Sequence, residues 1–288
     1  MEKTYSDLVE TFTNKLDRIE VGEEFGWTTG IPKLDGFVGR IDIGQVWAIG
    51  GFTGTGKSYF ILNMIEGILQ EWRSNKKGKY VAPKIAVYST ELNADQYFQR
   101  HVCMRCGIYF NQYKQDPKKY KLLLQEEADN YLLERKMHPE SLQIIGDLND
   151  LNDLKLDKLE YKPNIVFIDY IQELSFKNLV DVKDSMPVIV KTLKKLATTE
   201  QVAIIAVSQI NNSAIQGHSN PRKQQMNPFS WGKELMQAAH AAVYLEREML
   251  EEGVSSKELI VSILKARDGD KGWFNMMINP GFKLLQID

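Results

Sequence analysis

The run Gly51-Phe-Thr-Gly54-Thr-Gly56-Lys57-Ser58 constrains this chain more than any other segment. It satisfies G-x-x-x-x-G-K-[ST] and carries one extra glycine, with apolar Val46–Ile49 before it and an apolar helical stretch after it. Strand, glycine-rich loop and helix in that order make a phosphate cradle. Glycine lets the backbone curl until successive N–H groups point inward, and the helix N-terminus adds partial positive charge. Gly51, Phe52, Thr53, Gly54, Thr55 and Gly56 would line that cradle. Lys57 would reach the β- and γ-phosphates, and the Ser58 hydroxyl would face Mg²⁺. The expected ligands are ATP and Mg²⁺.

The remaining sequence supplies a fold that can carry such a loop. Apolar runs occur at Val46–Ile49, Ile85–Tyr88, Ile165–Ile168, Val202–Val207, Ala241–Leu245 and Leu259–Leu264. Helical stretches separate most of the earlier ones: Tyr59–Trp72, Ala94–Cys106, Lys118–Arg135 and Pro187–Thr199. Continuous rather than alternating apolar runs mark strands buried on both faces, and intervening helices make parallel crossovers. The last runs, Phe274–Ile278 and Phe282–Leu285, follow short Gly- or Pro-bearing links, so the sheet should end antiparallel. Residues 5–20 read as an amphipathic helix, with Leu8, Phe12 and Leu16 at four-residue spacing. The expected fold class is α/β, a mostly parallel central sheet flanked by helices with a short N-terminal helical extension. Its divisions would be residues 1–27, a linker-type helix and loop, and residues 28–288, the nucleotide-binding domain.

Composition excludes several classes. No window approaches 18 uninterrupted apolar residues, and the N-terminus lacks a basic-then-apolar leader. Two cysteines, Cys103 and Cys106, make no disulfide framework, so a reducing cytoplasm, of a cell or of a virus-infected host, is the expected location. Their Cys-x-x-Cys spacing is zinc-like, but no second pair exists, and the helical setting puts both on one apolar face. His101 and His240 read as packing or capping residues. A formal net charge of −2 argues against nucleic-acid binding over the whole surface and leaves room for a local basic groove.

Hydrolysis needs an acid on the metal side and a base for water. Asn164-Ile-Val-Phe-Ile-Asp169 is an apolar strand ending in an acid, which places Asp169 near Mg²⁺; the alternative is a plain helix or turn cap. Glu91 follows Ile85-Ala-Val-Tyr-Ser-Thr90, at a strand end that would face the nucleotide. A carboxylate there can polarise the attacking water. The alternative is an acid favouring a helix dipole. A third strand end, Val207-Ser208-Gln209, offers an amide able to sense the γ-phosphate.

Taken together these segments resemble the RecA-like motor domain of DnaB-type replicative helicases, from about Thr28 to the C-terminus. The resemblance rests on Thr29-Gly30-Ile-Pro-Lys-Leu34-Asp35, the phosphate loop, and Ser89-Thr90-Glu91-Leu92-Asn-Ala94-Asp-Gln96. It continues through Ile168-Asp169-Tyr170-Ile171-Gln172, Ala206-Val207-Ser208-Gln209-Ile210-Asn211 and Lys265-Ala-Arg267-Asp-Gly269. It implies a RecA-like P-loop ATPase fold with Glu91 as catalytic base, Asp169 as the Mg²⁺-side acid and Gln209 as the sensor coupled to DNA. Arg100 would support the nucleotide site, and Lys265 and Arg267 would act in trans on a neighbouring subunit's ATP. Alternation across Ala266 at a strand end lets both cations project the same way, and such fingers are worth ~10³–10⁵ in rate. The alternative is two solvated strand-end bases.

The same resemblance implies a homo-hexamer or other ring acting on single-stranded DNA, with primase, a loader or other replication proteins as partners. Two loops would face the DNA. One follows Gln172 and holds Lys177 and Lys183; the other, Asn211–Gly232, holds Arg222 and Lys223 and no Asp or Glu. The sequence departs from the family in two places: Asn212 stands where an arginine is expected, and Gln237-Ala238-Ala239-His240-Ala241 only loosely follows an acidic motif. The expected function is ATP-dependent helicase or translocase activity in DNA replication. A RecA/KaiC-like ATPase that does not unwind duplex is the rival, and a non-catalytic loader a second.

Overall fold

The structure is a computed structural model describing residues 4–20, 26–71, 73–74, 80–81, 83–136, 141–175, 182–209, 233–248 and 255–286. The chain opens with α1 (Tyr5–Glu20), whose start is fixed by a reciprocal cap. Thr4 N–H and Oγ1 donate to Asp7 Oδ2 at 2.7 Å, and Asp7 N–H donates back to Thr4 Oγ1 at 3.2 Å. Then follow α2 (Pro32–Val38), β1 (Val46–Gly51), α3 (Lys57–Gln70), the hairpin β2 (Arg73–Ser74) and β3 (Tyr80–Val81), β4 (Ile85–Ser89) and α4 (Ala94–Arg105). Next come α5 (Phe110–Gln115), α6 (Pro117–Lys136), β5 (Leu142–Ile145), β6 (Ile165–Asp169), α7 (Val182–Thr199) and β7 (Ala203–Gln209). The chain closes with α8 (Lys233–Ala238), β8 (Ala241–Glu246), β9 (Glu258–Ala266), β10 (Gly272–Ile278) and β11 (Leu284–Gln286).

Nine strands form one sheet in the order β11-β10-β9-β8-β1-β7-β6-β4-β5. The six from β8 to β5 run parallel, and β9, β10 and β11 continue antiparallel, as the linker lengths require. Period-two alternation within fully buried strands feeds two cores. Trp47, Ile49, Ile85, Val87, Ile165, Phe167, Ile205 and Val207 pack with α3 and α4. Val46, Ala48, Ala86, Tyr88, Val166, Ile168, Ile204 and Ala206 pack with Ile189 and Leu193 of α7 and Leu235 of α8.

Several elements differ from the sequence expectation. Edge strand β5 goes beyond it: its side chains are all half-buried, so no continuous apolar run announces it. Helix α7 begins at Val182 rather than Pro187, which lies inside the helix and removes one backbone hydrogen bond there. Cys103 is buried, whereas Cys106 is half-buried, and burial followed by the Glu127 charge pushes its thiol up to about 11. Buried His101 pairs with Glu66 at 2.5 Å, and His240 Nδ1 accepts from Val46 N–H at 3.2 Å, packing and capping roles for both. No described helix is long and apolar enough to cross a membrane.

Candidate functional site: a phosphate loop among parallel strand ends

Parallel pairing brings the carboxyl ends of β1, β7, β6 and β4 to one edge of the sheet: Gly51 lies opposite Gln209 and Ser89 opposite Asp169. That edge is where open α/β sheets bind ligands. From β1 the chain enters the loop, with Gly54 at φ 79° and Gly56 at φ 99°, left-handed conformations that strain any L side chain. Thr55 Oγ1 donates to the Phe52 carbonyl at 2.7 Å and tightens the curl.

Lys57 opens α3 and turns back over the loop, its Nζ donating to the carbonyls of Gly51 (3.0 Å) and Phe52 (2.9 Å). Burial pulls its ammonium below the usual lysine range, and the nearby charges of Asp169 and Glu91 oppose that shift. Asp169 ends β6, 6% exposed. Burial raises its pKa, while a hydrogen bond from the Ser58 hydroxyl and the Lys57 charge work the other way. Ser58 and Asp169, read separately from the sequence, thus meet.

Glu91 is exposed on the turn after β4, and backbone bonds tie that turn to the end of β6. Thr90 N–H donates to the Asp169 carbonyl at 2.9 Å, Tyr170 N–H donates to Thr90 Oγ1 at 3.0 Å, and Leu92 N–H donates to Ser89 Oγ at 3.0 Å. At the end of β7, the Gln209 side-chain amide donates to Thr53 Oγ1 of the phosphate loop. Gln172 clamps that strand end, with Nε2 donating to Ser208 Oγ (2.6 Å) and the Gln209 carbonyl (2.8 Å) and Oε1 accepting from Gln209 N–H (3.1 Å). Both the Thr53 contact and the Gln172 clamp escape sequence reasoning. Gln172 belongs to the segment that begins at Ile168, but only the strand register reveals its partner.

Arg100 of α4 lies over the Phe110 ring, 5.7 Å from its centroid, and its charge acts on Asp169. Its Nε and the hydroxyl of fully buried Tyr97 have no hydrogen-bond partner among the described residues. The Asp169 charge acts on fully buried Tyr97 as well.

Lys265 and Arg267 stand at the other end of the sheet. Ala266 pairs with Ala241, which pairs with Trp47 at the start of β1, whereas the loop leaves β1 at Gly51. Lys265 Nζ donates to the carbonyls of Met236 (2.9 Å) and Gln237 (2.8 Å), closing the end of α8; Arg267 is exposed beyond β9. Lys177, Arg222 and Lys223 lie outside the described residues, as does the side chain of Lys183, whose backbone is in α7.

The donor set suits a magnesium nucleoside triphosphate. Loop amides, a helix N-terminus and Lys57 are groups able to address phosphates, and the Ser58–Asp169 pair offers hard oxygens suited to a hard cation.

A sequence model of the DnaB-like helicase C-terminal domain matches residues 26–286. No curated protein matches the chain. Among solved structures, one ATPase domain superposes with a TM-score of 0.78 at 18% identity, covering 100% of both chains. A DnaB-like replicative helicase, solved with attention to its interactions with primase, gives 0.73 at 19% identity, covering 100% of this chain and 68% of that one.

Proposed function

Because the chain belongs to the family of DnaB-like helicase C-terminal domains, we propose that it hydrolyses ATP at subunit interfaces of a ring and uses the energy to move along single-stranded DNA and part the duplex during replication. The observation that carries this reading is the meeting of Lys57, Ser58, Asp169, Glu91 and Gln209 at one sheet edge.

In this account Lys57 leaves the carbonyls of Gly51 and Phe52 to neutralise the β- and γ-phosphates, while Ser58 and Asp169 would hold Mg²⁺. Bound there, Mg²⁺ would supply positive charge to the phosphate oxygens. Glu91 accepts a proton as water attacks the γ-phosphorus. Gln209 shifts its amide from Thr53 toward the γ-phosphate and reports its presence through the Gln172 clamp. Arg267 is remote from its own phosphate loop, so it serves the neighbour's, with Lys265 behind it. Residues 1–27 act as a linker between copies, residues 28–288 as the motor, and Lys177, Lys183, Arg222 and Lys223 face the DNA phosphates. Primase or a loader would join this ring, in keeping with the primase contacts of the DnaB-like structural neighbour.

A forked-duplex unwinding assay with ATP tests the reading. The wild-type chain is expected to separate the fork and Lys57→Ala to hydrolyse no ATP and unwind nothing. DNA-stimulated ATP turnover without strand separation would instead favour the rival ATPase, and wild-type turnover by Lys57→Ala would remove the phosphate loop from the mechanism.

A further inference from the structure

The end of β9 is fastened to its own chain at two points, both where α8 leads into β8. Lys265 Nζ donates to the carbonyls of Met236 (2.9 Å) and Gln237 (2.8 Å) in the last part of α8, and Arg267 N–H donates to the His240 carbonyl at 2.9 Å. His240 N–H in turn donates to the Val46 carbonyl at 2.7 Å, so the Arg267 backbone is anchored through His240 to the start of β1. The last carbonyls of a helix have no partner within it, and an ammonium, with three protons to give, can cap two of them at once.

The direction of the Lys265 side chain has a cause in the strand. Ala242 lies opposite Lys265 and Val243 opposite Ile263, which leaves Leu264 as the extra residue of a bulge. Ile263 belongs to the core that packs with α3 and α4. Leu264 packs on the opposite core, with α7 and α8, and Lys265 stands across from Ala242 of that same core. Without the bulge, period-two alternation would put Lys265 on the face of Ile263, away from α8. The bulge turns the lysine onto the helix end.

We propose that Lys265 is a positioning residue that works within its own chain: it locks the end of β9 to α8 and so fixes the strand end from which Arg267 reaches the neighbouring subunit. The inference rests on the reading that Arg267 acts on the neighbour's ATP, and it revises the expectation that both cations do so. Arg267, exposed beyond β9, carries the charge to the neighbour; Lys265 sets where that charge is offered.

The test compares Lys265→Met, Lys265→Arg, Arg267→Ala and the double variant Lys265→Met/Arg267→Ala in the full chain. Backbone hydrogen exchange over residues 234–240 is read without nucleotide, and ATP hydrolysis as kcat and KM, with single-turnover rates for the slowest proteins. Lys265→Met is expected to speed exchange at least ~5-fold, whereas Arg267→Ala leaves it unchanged. Its kcat should fall about 10-fold with KM for ATP within about twofold, because the nucleotide pocket lies at the other end of the sheet. Lys265→Arg should regain most of both, since a guanidinium also donates to two carbonyls. The double variant should be no slower than Arg267→Ala, because Lys265 acts only through Arg267. Unchanged exchange in Lys265→Met, a kcat within twofold of wild type, or a Lys265→Arg protein no better than Lys265→Met would each overturn the proposal. So would a double variant more than threefold slower than Arg267→Ala, the result expected of two independent cations reaching the neighbour. Lys265→Ala, which adds no apolar bulk at this half-buried site, is read the same way should Lys265→Met fail to fold. Wild-type turnover by Arg267→Ala would sink the trans reading of Arg267 instead, a signature separate from exchange at α8.

Discussion

His240 shows how a single side chain can make the fold sensitive to acid. Its Nδ1 accepts from Val46 N–H at the mouth of β1. Burial lowers its pKa from the usual 6.5, and the Arg267 and Lys265 charges add to that, while Asp268 opposes them. The neutral ring is therefore favoured in the folded state, and the unfolded chain binds more protons below pH 6.5. Stability is at its plateau above that value and declines as pH falls through it toward the folded pKa. Thermal melts between pH 7.5 and 5 should show this loss, and His240→Asn, whose side-chain oxygen still accepts from Val46, should flatten it. Identical pH profiles for the two proteins would assign the acid sensitivity elsewhere. Residue-level chemistry was legible where a local run dictated it, as for the glycines, Lys57 and Ser58. The Gln172–Gln209 clamp was not, because it forms only once β6 and β7 pair in register.

Elements with strong patterns were legible for the same reason that they are stable. Strands β1, β4, β6 and β7 are buried on both faces, so each had to be a continuous apolar run bounded by polar turns. Edge strand β5 and the short helices α2, α5 and α8 carry too few buried residues to impose a period. Helix α1 was legible, yet its apolar stripe finds no cover among the described residues: Tyr5, Leu8, Val9, Phe12 and Leu16 are all at least 47% exposed. A stripe of that kind is stable when buried against a partner. In the proposed ring that partner is the adjacent motor domain. Removing residues 1–20 should leave a folded monomer in sedimentation, with a nucleotide-induced rise in melting temperature like that of the intact chain. Its ATP turnover should fall at least ~10-fold, since no neighbour supplies Arg267. A truncated monomer as active as the full chain would refute a role for α1 in assembly.

At the scale of the whole molecule, the sheet separates the two halves of the proposed chemistry. Phosphate loop, Asp169, Glu91 and Gln209 lie at the carboxyl ends of the parallel strands, and Lys265 and Arg267 lie where β8 begins. About four residues of extended strand, roughly 13 Å, divide the two levels along the sheet, beyond what an arginine spans from its own backbone to its own γ-phosphate. In the proposed mechanism a complete active site therefore requires two copies, one giving the nucleotide pocket and the next giving the cation. The most direct measurement is ATP turnover in mixtures of Glu91→Gln and Arg267→Ala subunits in varying ratio. Each parent should be nearly inactive. Interfaces joining the intact Glu91 of one subunit to the intact Arg267 of its neighbour should restore turnover, greatest near equal proportions. Mixtures no more active than the parents' weighted average would contradict hydrolysis between subunits.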